Sequence, residues 1–330
     1  MTKNSKACLH ADLFKDEEGM EKSGTRDGFG KGLLEAGKKN KHIVALSADL
    51  AESTRVHLFA EEFPERFIEI GVAEQNLVTV ASGLAAEGKI PFASSFSAFS
   101  PGRNWEQIRT TVCYNDQPVK VVGTHAGLSV GADGATHQAL EDLATTRVIP
   151  NMVVLSPCDA EEARKATLAA AEYDGPVYLR LHREKFPTFT TTKTPFTIGK
   201  AEVFTRGKDV TVVATGPSVY QALLAAKELK GDISVEVINA HTVKPIDTQT
   251  IVRSAKKTGA VVTVEDHQVS GGLGGAVAEA LAIKAPTPME FVGVHDSYGE
   301  SGKTMELWKK HGMDVDGIIS SIRSVLKKKK

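Results

Sequence analysis

Three short stretches carry side chains that could do acid–base or anion chemistry. In Ile70-Gly71-Val72-Ala73-Glu74-Gln75-Asn76-Leu77 a β-rich run ends in glycine and a carboxylate opens an apolar helical pattern. The free N–H groups of a first helical turn favour an acid, so Glu74 is either a simple first-turn acid or a reacting group at a strand end. The stretch Thr124 to Gln138, THAGLSVGADGATHQ, places His125, Asp133 and His137 on one glycine-rich loop between a strand and a helix. Ligands of open α/β sheets bind at such strand ends, where histidines can hold oxygens or shuttle protons. Capping of backbone groups by the same side chains is the alternative, and the spacing fits no standard zinc pattern. The third stretch, SSFSAFSPGR from Ser94 to Arg103, sets Phe96 and Phe99 three apart, either in a core or as a flat platform for a ring.

Weaker signals surround these. Asp49 and Ser53 lie in SADLAES, at the end of a β run, and Arg26 precedes the first helix. Arg180, His182 and Arg183 crowd the end of another β run. Arginine suits phosphate, but each of these side chains could equally make a surface pair. Ser270 to Gly275, SGGLGG, looks like a phosphate loop but fails GxGxxG because Val277 takes the last glycine place.

The elements that must position these residues alternate. β-rich runs at His42–Ser47, Arg66–Gly71, Val119–Thr124, Met152–Ser156 and Pro176–Leu181 are separated by helical patterns such as Asn76–Glu87 and Ala160–Glu172. Asp159, followed by Glu161 and Glu162, reads as an N-cap. This alternation predicts a parallel α/β sheet with helices on both faces. The segment EKFPTFTTTKTPFTIGK, Glu184 to Lys200, lacks a helical period and reads as a linker. A second, smaller α/β series follows, with strands at Asp209–Thr215, Ser234–Asn239, Ala260–Glu265 and Met289–Val294, and a last helix near Val315–Leu326. The expected division is an N-terminal arm at 1–22, a first domain at 23–184, a linker at 185–200 and a second domain at 201–326.

Composition excludes several classes. The chain has 330 residues, 41% of them hydrophobic, which is enough for two cores. A formal net charge of -1 gives no electrostatic case for nucleic acid or an anionic membrane as partner. The Lys327 to Lys330 run reads as a solvated tail. Three cysteines without a CxxC suit a reducing compartment, and no run has the length of a membrane span or a signal peptide. A cytoplasmic protein is expected.

Taken in order, Thr25-Arg26, SADLAES, GVAEQN, SSFSAF and THAGLSVGADGATHQALED resemble the pyrimidine-binding and C-terminal domains of the transketolase family. Each motif is weak, but the ordered set is specific and spans about residues 22 to 325. The resemblance implies a thiamine-diphosphate enzyme that transfers a two-carbon ketol unit between a ketose phosphate and an aldose phosphate. It implies that Glu74 hydrogen-bonds the cofactor's aminopyrimidine, that Phe96 and Phe99 border that ring, and that Asp49 is an acid at the same site. His125 and His137 would contact sugar oxygens and assist proton transfer. Asp133 would bind a substrate hydroxyl, and Arg26, Ser53 and Arg183 would hold the sugar phosphate. Glu74, His125 and His137 are thus the expected catalytic residues.

Two departures stand out. Gly102 lies where many full-length relatives carry an aromatic, and Ala135 replaces the usual proline. The GDG…Asn motif that marks the family's Mg²⁺ and diphosphate domain is not found in the chain. The resemblance therefore implies a partner, an N-terminal subunit carrying the Mg²⁺ ligands, with two copies of each chain and self-association through this one. The second domain is expected to serve assembly more than chemistry. Alternatives are the β subunit of a 2-oxoacid dehydrogenase, a detached deoxyxylulose-phosphate synthase half, and a non-catalytic binding relic.

Overall fold

The computed structural model describes residues 7–14 and 19–329. Among these described residues fourteen strands form three sheets. They are β1 (Lys22–Ser23), β2 (Ile43–Ser47), β3 (Phe67–Glu69), β4 (Ile90–Phe96), β5 (Lys120–Thr124), β6 (Val153–Leu155), β7 (Val177–Arg180), β8 (Phe186–Pro187), β9 (Glu202–Thr205), β10 (Val210–Ala214), β11 (Val235–Asn239), β12 (Thr242–Lys244), β13 (Val261–Gln268) and β14 (Met289–Val294). The first large sheet runs β12-β6-β7-β5-β4-β2-β3, parallel from β6 to β3. Its inner strands β2, β5, β6 and β7 are buried at every position, as expected for a sheet covered on both faces. The second runs β14-β13-β10-β11-β9, with β9 antiparallel. The α/β architecture read from the sequence is thus present in both halves.

The arrangement of the first sheet decides where chemistry can happen. From β2 the chain moves outward to β3, then returns to the other side of β2 as β4. The strand order therefore reverses between β2 and β4, and a crevice opens there at the carboxyl ends of the strands. The strand β4 itself, IPFASSF, was not anticipated. Its polar Ser94 and Ser95 break the apolar run, yet both are fully buried.

Helices pack closely against this sheet. The Thr25–Lys39 helix contains Arg26 in its first turn, so Arg26 does not precede the helix as the sequence suggested. Gly28 lets that helix approach the Ala160–Glu172 helix, since a Cβ there would lie 1.9 Å from the Ala160 carbonyl oxygen. Asp159 caps the latter helix as expected, accepting from the Glu162 N–H at 2.9 Å. It also accepts from the Phe189 and Thr190 N–H groups, which fastens the connecting segment.

The connection and the second half are more entangled than a simple linker implies. Strand β8 pairs antiparallel with β1, and β12 from the second α/β series adds to the edge of the first sheet beside β6. Ala7, Leu13 and Met20 of the N-terminal stretch lie in the core of the second half, while residues 1–6 and 15–18 fall outside the described residues. A buried charged cluster closes the seam between the halves. Arg180 Nε donates to Asp142 Oδ2 at 2.8 Å, and Arg180 Nη2 donates to the Asp266 carbonyl at 2.8 Å. Burial would raise the Asp142 carboxyl, but the Arg180 charge outweighs it and holds Asp142 below the usual range. His267 is 3.9 Å from Asp142, but burial pushes its pKa down to about 4, so the contact is no ion pair at neutral pH. Arg180 and His182, grouped in the sequence with Arg183, are both fully buried and belong to this packing rather than to an exposed anion site.

Candidate active site

The carboxyl ends of β2, β3, β4, β5 and β7 bring the sequence-predicted residues to one edge of the first sheet. Asp49 follows β2, Glu74 follows β3, Phe96 and Phe99 end β4, His125 follows β5 and Arg183 follows β7. Asp49 and His125 hold left-handed backbones, with φ of 60° and 58°, a sparsely populated state that clusters at functional sites.

Glu74 opens the Glu74–Ala86 helix and is only 4% exposed. Both of its carboxylate oxygens accept from Arg103 Nη1, at 3.2 and 3.1 Å. The Arg103 guanidinium also lies 4.2 Å from the centre of the Phe99 ring. This answers the question that Gly102 raised. A Cβ at Gly102 would sit 2.2 Å from the Ala98 carbonyl oxygen, so no side chain fits there, and the next residue covers Phe99 instead. Arg103 carried no sequence signal beyond its position after the glycine. Asn104 was likewise missed. It is buried and donates to the Glu74 carbonyl at 2.9 Å, anchoring the start of the helix.

Phe96 and Phe99 stack with centroids 6.0 Å apart. Phe96 also stacks on His125 at 3.7 Å, and Phe99 meets the edge of His137 at 5.3 Å. The two phenylalanines thus form a platform shared with both histidines rather than a plain core pair. His125 is buried, and its pKa falls to about 3, first through burial and then through the charges of Arg26 and Arg183. Arg26 Nη1 lies 3.2 Å from His125 Nε2. Arginine can only donate, so Nε2 accepts, and the ring proton sits on Nδ1, facing Thr124 Oγ1 at 2.9 Å. His137 is half-buried, with Nδ1 2.9 Å from Thr136 Oγ1.

Arg26 also donates to the Ser53 carbonyl at 2.8 Å, so Ser53 enters the site by its backbone as well as by its position. Arg26 Nε is buried without a partner among the described residues, and burial followed by the nearby Arg55 charge lowers its pKa to about 10. Arg183 donates to Asp133 Oδ2 at 3.1 Å, and both side chains are exposed. A groove of about 1070 Å³ opens beside Arg26 and Arg183 and runs along Lys185, Lys227 and Lys303. Glu74, Phe99 and His137 lie outside its lining.

Asp49 is the least tightly placed of these residues. Its side chain is exposed, and its recorded contact is through the backbone, whose N–H donates to Glu69 Oε1 at 2.7 Å. The same oxygen accepts from Gly71 at 2.8 Å, so Glu69 ties the ends of β2 and β3 together. The glycine-rich Ser270–Gly275 turn is filled from within. Glu265 accepts from the Leu273 and Gly274 N–H groups at 2.7 Å each, taking the place an anion would occupy. Among the described residues no group of three His, Cys, Asp or Glu side chains could hold a metal ion.

Residues 21–188 match the transketolase pyrimidine-binding domain, and residues 199–318 match the transketolase C-terminal domain. The chain belongs to the transketolase family. A protein of Methanocaldococcus jannaschii, named as a transketolase C-terminal section, is 47% identical over 309 residues, covering 92% of this chain and 97% of the relative. A 6-deoxy-6-sulfo-D-fructose transketolase subunit of Clostridium sp. (strain MSTE9) is 44% identical over 311 residues, covering 94% and 97%. Among solved structures, a split-gene transketolase described as an inactive beta4 tetramer superposes with a TM-score of 0.87 at 46% identity, over 93% of this chain and 99% of that one. The first half of the chain is thus the family's pyrimidine-binding domain, and the family implies thiamine diphosphate as cofactor. No helix among the described residues is long and apolar enough to cross a membrane.

Proposed function

We propose that this chain is the C-terminal subunit of a split, thiamine-diphosphate-dependent transketolase that moves a two-carbon ketol unit from a ketose phosphate to an aldose phosphate. The observation that carries the reading is the convergence of Glu74, Phe96, Phe99, His125 and His137 at the reversal of strand order, with Arg26 and Arg183 beside them. The pyrimidine half of thiamine diphosphate fits the residues present. A planar group bearing N–H donors already sits between the Glu74 carboxylate and the Phe99 face, in the form of the Arg103 guanidinium. A ring placed there requires Arg103 to swing outward, which its half-exposed side chain permits. When bound, the cofactor supplies the nucleophilic carbon and the electron sink.

This chain's own residues then divide the work. Glu74 hydrogen-bonds the aminopyrimidine, and Phe96 and Phe99 wall it. Asp49 belongs to the same pocket. His125 stays neutral and holds a sugar oxygen, while the more open His137 moves protons. Asp133 takes a sugar hydroxyl. Arg26, with its unused buried Nε, joins Ser53 and Arg183 in holding the phosphate. The Mg²⁺ and diphosphate ligands belong to a separate N-terminal subunit, and two copies of each chain form the active assembly in the cytoplasm. The similarity to a split-gene transketolase supports that division, and similarity to a sulfofructose transketolase subunit leaves the sugar pair to the assay.

The test is ketol transfer from xylulose 5-phosphate to ribose 5-phosphate with thiamine diphosphate and Mg²⁺. This chain is expected to be inactive alone and active with its N-terminal partner. Activity alone would contradict the division of the site. An inactive, well-formed complex would contradict this sugar pair and direct the assay to sulfosugars, 2-oxoacids and deoxyxylulose phosphate formation. Within an active complex, Arg183→Ala is expected to raise KM for phosphorylated sugars about 10–100-fold, the worth of a charged hydrogen bond, while kcat changes less. An unchanged KM would remove Arg183 from the phosphate site.

A further inference from the structure

We infer that Asp266, on strand β13 of the second half, is a positioning residue for the sugar-binding loop of the first. This rests on the reading of Asp133 and His137 as sugar contacts. Both residues ride on the loop from Gly127 to Gln138, which turns through left-handed glycines at 127, 131 and 134 and belongs to no sheet. The loop's Leu128–Asp133 stretch is a 3-10 helix, and backbone bonds such as Val130 N–H to the Gly127 carbonyl and His137 N–H to the Gly134 carbonyl hold its later part. The first two amides of that helix, Leu128 and Ser129, need partners from elsewhere.

The second half supplies them. Asp266 Oδ1 accepts from the Leu128 N–H at 2.9 Å, and Oδ2 accepts from the Ser129 N–H at 3.2 Å. One carboxylate thus binds two successive amides at the start of the loop, in the manner of an anion in a backbone nest. The fit is close, because a Cβ on Gly127 would lie 2.2 Å from Asp266 Oδ2. Asp266 is 1% exposed and sits on a strand flanked by β14 and β10, and Arg180 donates to its carbonyl. Further along, Gln138 Nε2 donates to the Glu300 carbonyl at 2.9 Å and to the Leu128 and Gly131 carbonyls at 3.3 Å each. Thr304 Oγ1 donates to the Ser129 carbonyl at 3.4 Å, and a Cβ on Gly134 would meet Ser301 Oγ at 2.6 Å. The loop is therefore moulded against the second half, which takes part in placing the substrate groups as well as in assembly.

Replacing Asp266 leaves two buried amides without a full partner. In Asp266→Asn one oxygen remains, and an NH₂ group faces the other N–H. Hydrogen exchange on this chain is expected to show protection of residues 127–138 falling about tenfold, the effect of one lost buried acceptor, with β10 and β13 unchanged. In the assembled complex the same variant should raise KM for the sugar phosphate about tenfold, with the thiamine diphosphate Kd within about twofold of wild type. Unchanged loop protection would overturn the inference. A parallel loss of sugar and cofactor affinity would also overturn it, since that is the pattern of a merely structural residue. If Asp266→Asn does not fold, Gln138→Met removes the neighbouring tie and should loosen the same loop, and an unaltered exchange pattern there overturns the inference. A wild-type complex inactive on all sugar phosphates would instead sink the transketolase reading, while the exchange result still judges the clamp itself.

Discussion

Glu74→Ala in the assembled complex is expected to lower turnover by about 10²–10⁴-fold, the range that a positioned acid–base group contributes, while thiamine diphosphate still binds. On the proposed reading the carboxylate touches the cofactor's pyrimidine, whereas the diphosphate contacts belong to the partner subunit. The partner of the carboxylate among the described residues is Arg103. Asn104 anchors the helix start through the Glu74 backbone carbonyl, which alanine retains. The half-exposed Arg103 side chain, freed from Glu74, can hydrate. Turnover and cofactor affinity, measured together, check this. Activity near wild type would strike Glu74 from the site, and lost cofactor binding would assign it to affinity rather than chemistry.

The second large effect is on stability. Arg180→Met keeps most of the side-chain volume but leaves Asp142 buried without its cation. Breaking a buried pair in this way costs about 3–5 kcal/mol, read as a drop in the denaturation midpoint. Asp142 and Arg180 are 2% and 1% exposed, so water cannot take over the lost partner. Adding Asp142→Asn should restore a substantial part, because the amide oxygen can still accept from Tyr178, which now donates to Asp142 at 2.7 Å. Equal stability of the single and double variants would contradict this account. The same pair predicts a pH dependence. The folded carboxyl of Asp142 is lowered, so the native state binds fewer protons than the unfolded chain in the acidic range. The pair's stabilisation is present above the ordinary Asp pKa and is lost as pH falls through the lowered one. The wild type should show this acid-side loss, and the double variant should lack it.

Much of this was legible in the residues. The apolar runs between helical patterns announced parallel strands because a sheet covered on both faces buries every side chain of its inner strands. Asp159 announced a helix start because few side chains satisfy free N–H groups so well. The ordered motifs around Glu74, His125 and His137 carried the family. Strand β4 was harder, since Ser94 and Ser95 look exposed in the sequence and are buried in the sheet.

What the sequence determined by itself was local: element types, the chemistry of the candidate residues, and the family to which their order points. Only the tertiary structure decided that Arg103 covers Phe99 where Gly102 carries nothing, that Arg180 and His182 are interior while Arg183 is exposed, and that Asp266 reaches from one half to the loop of the other. The Arg103–Phe99 contact is short in sequence but is fixed by Glu74, 29 residues away, and the others join residues on different strands or sheets. Their free energies depend on burial and on charges that are distant in sequence, and no local period or spacing encodes either.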